Sequence, residues 1–92
     1  METVAWEKIL AFEIGSKNLD YSFGIRLGIE NKWSLQFTQN AITEYKKFMF
    51  LASVSDEMVS PSPVVDEVWH LHLLDSKSYS DFCKLLGKKI SA

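Results

Sequence analysis

The sequence predicts an all-α protein: one small domain over residues 1–92, a bundle of about five helices with a central buried helix near 62–75. Three observations carry that expectation. Breaks rich in Gly, Ser, Asn and Asp at 15–20, 31–34, 53–62 and 75–78 divide the chain into pieces mostly of helical length. Within those pieces apolar residues recur at i, i+3 and i+4. Serine stands before the pieces where a helix N-cap is expected, twice followed by proline (Ser60-Pro61 and Ser62-Pro63).

The first piece, Thr3 to Ile14, gathers Trp6, Ile9, Leu10 and Glu13 on one side, with Gly15 suited to the left-handed position after a helix. The second, Tyr21 to Glu30, is ambiguous. Phe23, Ile25, Leu27 and Ile29 alternate with polar or small residues as in a strand, yet Phe23/Leu27 and Ile25/Ile29 are also i,i+4 pairs. A lone strand would leave its backbone groups unpaired, so helix is preferred, with Gly24 and Gly28 as a small-residue packing face. The third piece, after Ser34, carries Phe37, Ala41, Tyr45, Phe48 and Ala52 as a stripe, flanked by Ile42 and Met49. Gln39, Asn40, Thr43, Glu44, Lys46 and Lys47 are expected on its solvated side.

The fourth piece starts with the two Ser-Pro pairs, Ser60-Pro61 and Ser62-Pro63, and places Asp66 and Glu67 near its positive end. The fifth sets Tyr79, Phe82, Cys83 and Leu86 on one face and ends at Gly87, with Ser78 and Asp81 resembling a capping box.

Composition restricts the function. The apolar fraction of 47% and aromatic fraction of 13% describe a globular domain. Twelve acids against ten bases, interspersed, give a net charge of −2 and no basic stripe for nucleic acid. No segment approaches the ~20 apolar residues of a membrane span, and METVAWEKIL lacks the pattern of a signal peptide. A lone cysteine, Cys83, fits a reducing compartment, so a soluble cytoplasmic domain is expected.

The stretch from Pro61 to Gly87 holds both histidines, the cysteine and a tryptophan. At about 100° per residue, His70 and His72 project roughly 160° apart on a helix, so one metal ion cannot take both. His70 lies one turn after Asp66, where the carboxylate would orient the imidazole and favour its charged form. His72 lies on the apolar arc beside Trp69 and needs a hydrogen-bond partner, for which Asp75 is the expected candidate. Cys83 reads as a small buried hydrophobe.

This stretch resembles the signature of the glycine-rich domain-containing protein-like family. The V-D-x-V-W-H-x-H-x-L pattern matches from Val65, with Asp66, Trp69, His70, His72, Tyr79 and Cys83 in register. Upstream, Arg26-Leu27, Glu30-Asn31-Lys32-Trp33 and Glu44-Tyr45-Lys46-Lys47-Phe48 resemble segments that precede the motif in short bacterial members. The likeness implies an all-helical domain, makes those six residues the candidate site, and carries no reaction with it. Plant members that place such a domain beside glycine-rich segments imply an interaction role.

The expectation is therefore a protein interaction or binding module, without a required cofactor, whose binding face includes Trp33 or Trp6. The alternative is a zinc-like or hydrolytic centre built around Asp66, His70 and His72, with Asp66, His70 and Cys83 as candidate ligands.

Overall fold

The computed structural model describes residues 2–12, 14, 20–55 and 59–87. These form five α-helices and no strand among the described residues: α1 (Glu2–Ala11), α2 (Asp20–Asn31), α3 (Leu35–Val54), α4 (Pro63–Leu73) and α5 (Ser76–Leu86). The all-α bundle is the expected one, and 21–30 is helix. Its Cα radius of gyration, 12.5 Å, agrees with the value of about 12 Å for a folded chain of this length.

The longest helix, α3, organises the packing, because it alone touches all four others. Ser34 starts it: the hydroxyl accepts from the Phe37 N–H at 3.1 Å, as a serine N-cap should. Ala41, Tyr45 and Met49 are buried, and Phe48 is half-buried against Trp69. Phe37, expected in the same stripe, is exposed, with its ring against that of Trp33 at 5.0 Å between centroids.

Lys46 departs from the expectation. It is not on a solvated face but buried, with Nζ donating to the carbonyls of Leu10 (2.9 Å) and Phe12 (2.6 Å). Carbonyls at a helix C-terminus have no intrahelical partner and carry negative partial charge, so a cation there satisfies both. The long aliphatic stem is what lets an ammonium reach across from α3. Lys46 thus fastens α1 to the bundle, together with buried Ile9 and the ring contacts Trp6–Phe50 (5.6 Å) and Phe12–Phe82 (5.0 Å). Leu10, expected beside Ile9, is exposed, and Glu13 and Gly15 lie outside the described residues.

The turn from α2 to α3 explains one of the two helix glycines. A Cβ on Gly28 would lie 3.0 Å from Thr38 Oγ1 and 3.3 Å from the Trp33 carbonyl oxygen, so the two helices meet there only because the side chain is absent. Thr38 Oγ1 is itself held by the Ser34 carbonyl at 2.8 Å. Gly24 has no such role: nothing lies within 4 Å of where its Cβ would be.

α4 begins at the second of the two expected Ser-Pro pairs, with Ser62 accepting from the Val65 N–H at 3.2 Å and Pro63 in the first turn. It buries Val65, Val68, Trp69, Leu71 and His72 against α2, α3 and α5. α5 begins two residues before the expected capping box. Asp75 is the N-cap, accepting from the Ser78 N–H at 3.1 Å, and Ser78 is buried. Gly87 ends the helix at φ 79°, in the left-handed conformation.

Candidate functional site

The structure separates the six motif residues into two groups. Trp69, His72, Tyr79 and Cys83 are buried among α3, α4 and α5, while Asp66 and His70 stay on the outside of α4.

His72 has no exposed surface. Phe23 of α2, Tyr45 of α3, and Tyr79 and Phe82 of α5 surround it, with ring centroids 5.3–6.1 Å away. Its Nδ1 lies 2.7 Å from the Tyr45 hydroxyl, and its Nε2 lies 3.0 Å from Ser78 Oγ. The partners are therefore Tyr45 and Ser78, and not the expected Asp75, whose backbone N–H donates to the His72 carbonyl at 3.0 Å. Asp75 is occupied in capping α5.

Hydrogen-bond bookkeeping fixes the tautomer. Burial above all, then the neighbouring Tyr79 and Cys83, drive the Tyr45 pKa upward, so its oxygen keeps the proton. His72 Nδ1 is the acceptor within its reach. Tyr45 then donates to Nδ1, leaving Nε2–H to donate to Ser78 Oγ. Adding a proton to Nδ1 would deprive the Tyr45 O–H of that acceptor in a closed core. Burial accordingly lowers the His72 pKa to about 4, opposed by the Asp75 carboxylate and the Ser78 backbone and assisted by Lys46.

Next to this network, Trp69 Nε1 donates to the Tyr79 hydroxyl at 3.2 Å, and the Cys83 thiol is buried beside Tyr79. Burial also raises the Tyr79 pKa. Inside the bundle Trp69 is thus satisfied by Tyr79, and His72 by Tyr45 and Ser78. A ligand would reach His72 only by breaking one of its two bonds.

His70 Nε2 and Asp66 Oδ2 form the expected i,i+4 pair at 3.5 Å, with side chains 64% and 43% exposed. That exposure leaves the pair little energy to contribute. His70 also borders a cleft of about 380 Å³ between α2 and α4, together with Glu30, Glu67 and Leu74. Among the described residues, no three His, Cys, Asp or Glu side chains gather as a group able to hold a metal ion.

A second cleft, also about 380 Å³, lies at the elbow between α2 and α3. Ile25, Ile29, Trp33 and Leu35 wall it, Gly24, Gly28 and Thr38 lie along it, and Lys32 is the only charged residue lining it among the described residues. Ile29 is 73% exposed and Leu35 68% exposed. Of the two tryptophans expected at a binding face, Trp33 lines this cleft half-buried, and Trp6 packs on Phe50 instead. Sequence reasoning named Trp33 but not the aliphatic wall. The available signal was the placing of Ile25 and Ile29 directly after Gly24 and Gly28, the residues expected to form a small-residue packing face.

No described helix is long and apolar enough to cross a membrane. Comparison with family models, with curated proteins and with solved structures found no match to this chain.

Proposed function

We propose that this chain is a small helical protein-interaction module of the cytoplasm, and that the α2–α3 elbow is the surface its partner covers. The observation that carries this reading is the exposure of Ile29 and Leu35 on the walls of one cleft. Scattered exposed aliphatics are ordinary, but aliphatics converging on a concave surface mark an interaction site. Gly24 supports the same reading. A glycine inside a helix costs about 0.5–1 kcal/mol relative to alanine. Gly28 recovers that cost by close packing on α3, whereas Gly24 faces open space at the cleft.

Membership of the glycine-rich domain-containing protein-like family, proposed on the Pro61–Gly87 motif and its register, points the same way through the scaffold role implied for plant members. The alternative zinc-like centre on Asp66, His70 and Cys83 would have to join an exposed pair to a buried thiol.

The test is a double substitution, Ile29→Glu with Leu35→Glu. The variant should keep the parent's circular dichroism and melting temperature while losing capture of a partner that purified parent protein binds directly. A variant that binds that partner undiminished would remove the elbow from consideration.

A further inference from the structure

Resting on the docking reading of the elbow, we propose that its occupant is an amphipathic helix bearing a carboxylate beside its apolar ridge. Lys32 carries this inference. Among the described residues it is the only charged one lining the cleft, and it makes no ion pair. Its backbone sits at φ 59°, the one described non-glycine residue at positive φ. Two hydrogen bonds hold it there: Trp33 N–H to the Gly28 carbonyl at 2.9 Å, and Lys32 N–H to the Ile29 carbonyl at 3.3 Å. That pattern ends a helix in the left-handed position where glycine normally stands. The dipole of α2 favours a cation near this end but does not require it at a left-handed residue. The lysine there lines the same cleft as the aliphatic wall of Ile25, Ile29 and Leu35.

The partner follows from complementarity. Its apolar ridge would lie on Ile29 and Leu35, its backbone would approach over Gly24, and its carboxylate would pair with Lys32. The chain's net charge of −2 favours a basic peptide in bulk. A preference for an acidic one therefore has to originate in the cleft.

The experiment titrates two peptides of about 14 residues into ¹⁵N-labelled protein at low salt, a length at which a helix is marginal until bound. Both carry the same leucine ridge, flanked by glutamate in one and lysine in the other. The acidic peptide should shift the Gly24, Ile29, Lys32 and Leu35 amides and bind about tenfold more tightly than the basic one, a difference of about 1.4 kcal/mol. Lys32→Glu should reverse the order. Equal affinity at the elbow, or a basic preference that Lys32→Glu leaves unchanged, would overturn the carboxylate inference while leaving the docking surface standing. If neither peptide shifts the elbow amides, the docking reading fails and this inference with it.

Discussion

At the residue scale, one buried imidazole joins α3 to both helices of the Pro61–Gly87 stretch, through Tyr45 on one side and Ser78 on the other. Its neutral form is the one the core accepts, and this sets a pH dependence. The unfolded imidazole titrates at 6.5 and the folded one near 4. Between those values only the unfolded chain takes up the proton. The His72 contribution is therefore complete above pH 6.5 and declines as the pH falls towards 4, by at most roughly 3 kcal/mol. Urea titrations across that range should show stability rising with pH, and His72→Gln, which offers a donor and an acceptor but no titration, should flatten the slope. At neutral pH, His72→Ala should cost about 2–4 kcal/mol, because it opens a cavity and leaves Tyr45 unpaired. His70→Ala should change stability by no more than about 0.5 kcal/mol, its pair with Asp66 being solvent-exposed. Helical geometry alone told these two histidines apart, because 3.6 residues per turn sets them on opposite faces. It did not reveal Tyr45 as the partner, which lies 27 residues away in sequence.

At the scale of the helices, the two glycines of α2 offer a matched comparison. Gly24→Ala should raise stability by about 0.5–1 kcal/mol, since the new methyl meets nothing and the unfolded chain loses freedom. Gly28→Ala should lower it, because the methyl meets a threonine oxygen already tied to Ser34 and a backbone carbonyl. Thermal melts of the two variants should move in opposite directions. Lys46→Met keeps the aliphatic stem but removes the donor from the Leu10 and Phe12 carbonyls. It should cost about 1–3 kcal/mol and speed hydrogen exchange in α1 more than in α4. The caps at Ser34 and Ser62 and the stop at Gly87 were readable in the sequence, since their signals act within one turn. The buried lysine was not, because a 3.6-residue period scores it as polar and cannot see the helix end it serves. The start of α5 was misplaced for a related reason. Ser78 and Asp75 are both competent caps by residue type; Asp75 caps the helix, and the Ser78 hydroxyl lies against His72.

For the whole molecule, the structure places Trp69, His72, Tyr79 and Cys83 in the core and part of the exposed apolar surface at the elbow. Ile29 and Leu35 are exposed, Gly24 lacks a neighbour, and Lys32 holds a left-handed conformation, all around one cleft. Each choice is locally unfavourable, and natural sequences accept such departures where function requires them. The most direct measurement is the unfolding free energy of the combined variant Gly24→Ala, Ile29→Gln, Lys32→Gly, Leu35→Glu. If these residues serve binding, replacing them with ordinary helix, turn and surface residues should raise stability by about 1–2 kcal/mol. A variant less stable than the parent would mean that the four residues serve the fold, and that the elbow is not a docking surface.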